Sequence, residues 1–279
     1  MQIINDNDKI NIIPFPTGKP NVSYSEIKIF HSCPHMYKLK YIDKIGEDKG
    51  NVYTAFGKII HDKCQSFFTT KEMNIELTLK EIKEQWEKEG YGDIEGWSAS
   101  AVRTLNEIPG WFDTTFPTWK PVAAEQLLFE KIENHEGLSM KGFIDAVIVV
   151  DKKKRGKTEE TEPEYWIIDY KTCNYFWRKE KIIDPTIYNQ LVLYKHYWCL
   201  KTGIPLNKVR CGFLLLRRNV PKTATNSCLL LPVSVGPVAI EKALKWVNNM
   251  IVSVKKGVHF KNRNSCTYCM YKNTVHCPD

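Results

Sequence analysis

Tyr165-Trp166-Ile167-Ile168-Asp169-Tyr170-Lys171 is an apolar run that ends in a carboxylate and an ammonium two residues apart. A run this rich in aromatic and β-branched residues reads as a strand. Side chains alternate across a strand, so Asp169 and Lys171 point to the same side. By itself an Asp-x-Lys pair reads as a salt bridge at a strand edge. Its surroundings decide between that reading and a chemical one.

Outward from this run, Val122–Lys131 and Leu138–Val150 have the same strand character. The charged stretch Asp151–Glu164 reads as a solvated hairpin loop. Downstream, Thr186–Leu200 reads as a helix, and Lys208–Leu216 and Ser227–Val233 as strands joined by a polar loop containing Pro221. Val238–Val254 is a long helix. Upstream, Ser23-x-x-Glu26 is a capping-box pattern that opens a first helix with Ile27 and Phe30 at helical spacing. Pro34 disfavours helical geometry at Cys33 and opens a second helix carrying Met36, Tyr37 and Tyr41. Gly57–Phe68 is a helix with Ile60, Cys64 and Phe67 inward. Residues 75–118 are helical, with an amphipathic Leu79–Glu89 and a Trp-rich part around Trp97 and Trp111. The order helix, three strands, helix, strand predicts an α/β core with a mixed sheet. Residues 1–22 read as a tail and 23–279 as a single domain, with 70–118 as a helical insertion.

The chain has 279 residues and a formal net charge of +8. An excess of Lys and Arg favours a polyanionic partner, usually nucleic acid. No stretch approaches the ~18 uninterrupted apolar residues of a membrane helix, and the first twenty residues do not form a secretory signal. A soluble, cytoplasmic protein is expected, in a bacterial or virus-infected cell. Nine cysteines, an odd number without an export signal, argue against a disulfide framework and towards metal or cluster ligation.

Asp145, in Gly142-Phe143-Ile144-Asp145, ends an apolar run on the strand before Asp169. Two carboxylates there suit a hard divalent cation, which prefers several oxygen ligands. Such a cation polarises a phosphate and lowers the pKa of a bound water. Lys171 then orients that water or stabilises charge developing on phosphorus.

Asp145 followed by Asp169-Tyr170-Lys171 resembles the signature of the PD-(D/E)xK nucleases, in the RecB-like branch. In that branch a Gly-x-x-x-His motif precedes the core and its histidine contacts the metal; Gly57-Lys58-Ile59-Ile60-His61 matches it. A Gln-x-x-x-Tyr motif on the helix after the catalytic strand is matched by Gln190-Leu191-Val192-Leu193-Tyr194, whose ends share a helix face. The resemblance implies a restriction-endonuclease-like core, a Mg²⁺ or Mn²⁺ ion on His61, Asp145 and Asp169, and a positioning role for Gln190 and Tyr194. Glu125, where relatives carry a glutamate on the first strand, either supports the site from behind or faces solvent.

Cys266-x-x-Cys269 followed by Cys277 supplies three thiolates of one site. His276 and Cys33, the latter in Cys33-Pro34, are both candidates for the fourth ligand. Iron–sulfur members of the branch, among them the AddB nuclease domain and the CRISPR-associated RecB-like exonucleases, place one cysteine before the core and three after it. The resemblance therefore implies a [4Fe–4S] cluster on Cys33, Cys266, Cys269 and Cys277, with zinc as the alternative. Such a cluster clamps the terminal helices, with 257–279 as the cysteine region.

After Lys171, Tyr175, Phe176, Trp177, Arg178 and Lys179 interleave aromatic and basic residues. They suit either a single strand of DNA, by stacking and phosphate contact, or a patch packed under the helical insertion. Lys255, Lys256, Lys261, Arg263 and Lys272 add positive charge around the cysteines. The expectation is an exonuclease on single-stranded DNA ends, serving recombination, repair, replication or CRISPR adaptation, alone, as a homo-oligomer or with a partner protein. An endonuclease or flap nuclease on the same site is the rival enzyme. A silent DNA-binding adaptor or a zinc-stabilised binding module are the rivals outside enzymes.

Overall fold

The computed structural model describes residues 15–46, 50–153, 160–220, 226–267 and 269–278, without the side chain of Lys179. In chain order the elements are β1 (Asn21–Ser23), α1 (Tyr24–Ser32), α2 (Pro34–Tyr37) followed by a π-helical turn (Lys38–Ile42), α3 (Val52–Thr70), α4 (Ile75–Glu89), α5 (Ile94–Thr115), β2 (Lys120–Lys131), β3 (Ser139–Lys153), β4 (Thr161–Cys173), α6 (Lys179–Ile182), α7 (Pro185–Thr202), β5 (Val209–Arg217), β6 (Cys228–Val233) and α8 (Pro237–Lys255). They gather into two units. One holds Glu47–Leu128 and Phe143–Leu244; the other holds Met1–Gly46, Phe129–Gly142 and Lys245–Asp279.

The first unit is built on β4. This strand pairs antiparallel with β3 and parallel with β5, and β5 pairs antiparallel with β6, so the sheet is mixed, with helices packed on it. Flanked on both edges, β4 buries four consecutive residues, Ile167, Ile168, Asp169 and Tyr170. A strand covered on both faces needs such a continuous run rather than alternation. Tyr170 and Ile168 join Ala146, Ile148, Leu214 and Leu216 in a core that Phe56, Ile60, Cys64 and Phe67 of α3 fill. Ile82 and Trp86 of α4 and Leu105, Ile108 and Phe112 of α5 belong to the same core. The helices of the 70–118 segment are therefore core elements of this unit.

The charged stretch Asp151–Glu164 departs from the expected loop. The β3–β4 ladder continues to the pair Lys153↔Thr161, and within this stretch only residues 154–159 fall outside the described residues, as the loop around Pro221 also does. Opposite charges make this possible. Lys152 Nζ lies 2.6 Å and Arg210 Nε 2.9 Å from Glu164 Oε2, and Lys208 pairs with Glu162. Cross-strand pairs of this kind favour pairing over a solvated loop.

In the other unit, Asn21–Ser23 is a strand, not the end of a tail, and it pairs in parallel with Ser139–Lys141. Ser23 closes that strand and caps α1. Its Oγ accepts from Glu26 N at 3.3 Å while Ser23 N donates to Glu26 Oε2 at 2.6 Å, which is the predicted capping box. Cys33, extended at φ −157°, separates α1 from α2, as Pro34 requires. His31 stacks on Trp246 at 3.9 Å and donates from Nε2 to its carbonyl at 2.9 Å. Burial holds the His31 pKa below its ordinary value against that hydrogen bond. Among the described residues no helix is long and apolar enough to cross a membrane.

Candidate active site

Asp169 and Lys171 share one side of β4, and Lys171 Nζ lies 2.6 Å from Asp169 Oδ2. The register of β3 on β4 ends at Ala146↔Ile168, and Asp145 and Asp169 are the next residue of each strand beyond that rung. Asp145 Oδ2 accepts a 2.6 Å hydrogen bond from Tyr170 N. A side-chain carboxylate thus satisfies a buried backbone donor at the point where the ladder stops.

His61 arrives on α3. Its Nδ1 lies 3.6 Å from Asp145 Oδ2, and its ring meets Tyr170 edge-on at 5.7 Å. Gly57, one turn earlier on the same face, explains how the helix comes so close. A Cβ built at Gly57 would stand 3.1 Å from Thr172 Oγ1, on β4. The glycine and the histidine of the Gly-x-x-x-His spacing thus act together: the first lets the helix approach, and the second uses the approach.

Burial raises the Asp169 pKa to about 6; the Asp145 charge adds to this, while Lys171 and His61 oppose it. Burial alone would lower the Lys171 pKa, but Asp169 and Asp145 hold it above the ordinary lysine value. The site therefore has one ammonium, paired with Asp169, for two nearby carboxylates. A divalent cation fits this donor set of carboxylate oxygens and an imidazole nitrogen. As they stand, no three His, Cys, Asp or Glu side chains among the described residues are gathered tightly enough to hold a metal ion; the groups converge without closing.

α7 contributes the remaining predicted residues. Gln190 Nε2 lies 3.4 Å from Tyr194 Oη. Burial, then the nearby Asp169 carboxylate, pushes the Tyr194 phenol well above its ordinary pKa, so it stays neutral.

The four cysteines singled out in the sequence, Cys33, Cys266, Cys269 and Cys277, line one cavity of the other unit. Asn262 N donates to Cys33 Sγ at 3.4 Å, and Asn262 Nδ2 and Ser265 Oγ both donate to Ser32 O, at 2.8 and 2.7 Å. His35 Nε2 bonds the His276 carbonyl at 3.1 Å. These hydrogen bonds stitch the C-terminal segment to the α1–α2 corner. The other five cysteines are buried and form no disulfide, as expected of core thiols.

The aromatic–basic run divides. Tyr175 is 58% exposed and its hydroxyl accepts from Asn219 Nδ2 at 2.9 Å. Arg178 is exposed. Trp177 packs instead on Phe213 at 5.4 Å, under Lys181, and Phe176 lies under the Arg217 guanidinium. Trp177 is half-buried between these contacts. The Lys179 side chain is outside the described residues. Glu125 is exposed, at a positive φ of 47°, which favours the solvent-facing alternative. Tyr170 N and Thr172 went unnoticed in the sequence, because a backbone donor and a helix contact leave no side-chain signature.

The sequence model of the PD-(D/E)XK nuclease superfamily matches residues 21–275 of this chain. No curated protein matches it. Among solved structures the chain is similar to a protein from Eubacterium rectale named "Putative exonuclease", with a TM-score of 0.56 and 16% identity over 97% of this chain and 93% of that one. At that identity the likeness shows a shared fold.

The Gly57 contact is testable. Gly57→Val forces α3 away from Thr172 and costs about 1–3 kcal/mol of stability, the usual range for overpacking. Gly110→Ala, where an added Cβ meets nothing within 4 Å, gains about 0.5–1 kcal/mol. Urea denaturation of the two variants separates these outcomes; an unchanged midpoint for Gly57→Val means that the helix does not depend on the close approach.

Proposed function

The chain belongs to the PD-(D/E)XK nuclease superfamily, and from that premise we propose that it is a Mg²⁺- or Mn²⁺-dependent deoxyribonuclease, an exonuclease acting on single-stranded DNA ends. The observation that carries this reading is the convergence of Asp145, Asp169, Lys171 and His61 around the end of β4. The exonuclease part draws on the name of the Eubacterium rectale protein.

Asp145, Asp169 and His61 would hold the cation, which supplies Lewis acidity at the phosphate and makes a nearby water more acidic. Lys171 stays protonated beside its two carboxylates. Its ammonium donates to a phosphate oxygen, and that contact strengthens as negative charge builds there. Tyr194, a neutral phenol, and the Gln190 amide offer hydrogen-bond donors on the α7 side and position the strand. Tyr175 and Arg178, both exposed, extend the contact along the DNA.

We propose further that Cys33, Cys266, Cys269 and Cys277 hold a [4Fe–4S] cluster. Four thiols on one cavity suit such a cluster, as they would zinc. The Asn262 N–H donated to Cys33 Sγ also suits a thiolate ligand. The cluster's role is to clamp residue 33 to residues 266–277.

End-labelled linear single-stranded DNA, incubated with Mn²⁺ or Mg²⁺ beside a closed circle, tests the first proposal. The linear DNA is degraded and the circle survives. Lys171→Ala slows the reaction about 10²–10³-fold, the usual effect of removing one preorganised donor, without altering the melting temperature by more than a few degrees. Cutting of the circle contradicts the exonuclease reading, and full activity of Lys171→Ala contradicts the site. For the second proposal, protein purified without oxygen is brown, with absorbance near 400 nm that Cys33→Ser abolishes. A colourless protein carrying zinc overturns the iron assignment.

A further inference from the structure

A second concavity lies beyond the carboxylates in the same unit. It has a volume of about 480 Å³, and Tyr53, Asp93, Trp97, Asn174, Arg218 and Asn219 line it. Its position follows from two elements independently. Tyr53, Gly57 and His61 are four residues apart on one face of α3, so Tyr53 stands about 12 Å from His61 along the helix. Asn174 follows Lys171 by three residues, about 10 Å along β4 and its extension. The helix and the strand run opposite ways here, since His61 meets Tyr170 and Gly57 meets Thr172. The two elements therefore agree in putting the concavity roughly 10–12 Å beyond His61 and Lys171.

Its chemistry is aromatic and cationic. Tyr53 is 57% exposed, and its ring meets Trp97 edge-on at 5.6 Å. The Arg218 guanidinium lies 4.6 Å from the Tyr53 ring centre and 4.8 Å from that of Trp97. Arg218 is held in place: its carbonyl accepts from Ser100 Oγ and from Arg103. Trp97 is anchored against Phe56 and Trp86. The loops after β4 and β5 are tied by Asn219 N to the Asn174 carbonyl and Asn219 Nδ2 to Tyr175 Oη. The pocket is thus built before any ligand enters. Asp93, whose Oδ1 caps α5 through Gly96 N at 3.2 Å, is an exposed carboxylate in the lining, which disfavours a phosphate there.

We infer that this pocket seats a base of the single-stranded substrate, stacked on Tyr53 and backed by Arg218, about two to four nucleotides from the reacting phosphate at the ~3.4 Å per nucleotide of a stacked strand. The ligand class rests on the nuclease reading above; the pocket itself does not. A base held there anchors the strand while the adjoining phosphate lies at Asp169 and Lys171. Because every base has a stackable face, the grip is indifferent to sequence.

The test is fluorescence anisotropy with labelled oligothymidine and with an abasic oligomer of equal length, in chelator so that cleavage does not intervene. Tyr53→Ala weakens oligothymidine binding about tenfold, leaves the abasic oligomer unchanged, and Tyr53→Phe restores the affinity. Equal affinities of wild type and Tyr53→Ala for oligothymidine overturn the inference, and so does an equal loss on both oligomers, which points to structure or charge instead of stacking. Metal-dependent cleavage of the same oligothymidine by the unaltered chain is followed in parallel. Cleavage without a Tyr53 effect removes the pocket alone; a base-dependent Tyr53 effect without cleavage supports the pocket and removes the catalytic reading.

Discussion

Asp145 and Asp169 come from neighbouring strands to the end of the β3–β4 ladder, where Lys171 pairs with Asp169 and the Tyr170 N–H holds Asp145. A carboxylate with about 1% of its surface exposed is unfavourable in its ionised form. Lys171 relieves part of the cost, the Tyr170 N–H anchors Asp145, and His61 comes within reach because Gly57 lets α3 lie close to β4. Removing any of these leaves buried charge with fewer partners. The carboxylate charge they leave over is what the proposed cation offsets.

The sequence was most informative where a periodic pattern and a charge coincided. The β4 run, its Asp and Lys, and the helices carrying His61, Gln190 and Tyr194 all form elements close to the expected bounds. The fold class follows from the same elements, because β4 is buried on both faces and paired on both edges. The capping box at Ser23 was readable because it is local chemistry within four residues.

Non-local chemistry was harder to read. Asn21–Ser23 is a strand only because Ser139–Lys141 is available to pair with it; three residues carry no period. Asp151–Glu164 looked solvated because its charge partners, Lys208 and Arg210, lie more than forty residues away. The aromatic–basic run after Lys171 left stacking and packing open, because the Phe213 contact of Trp177 lies more than thirty residues away. The stacking pocket draws on residues near 53, 97, 174 and 218, and no single window of sequence contains its chemistry. The cysteine cavity lies between these cases: the close spacing of Cys266 and Cys269 pointed to a site, while the addition of Cys33 depended on resemblance and on the α1–α2 corner meeting the C-terminal segment.

The central claim is that Asp145 and Asp169 form a cation site, and calorimetric titration of the purified chain with Mn²⁺ tests it most directly. The account predicts saturable binding by the wild-type chain, at least about tenfold weaker in Asp145→Asn and in Asp169→Asn, since each removes an anionic oxygen ligand that a hard cation requires. Absence of Mn²⁺ binding by the wild-type chain, or unchanged affinity in both variants, would contradict it.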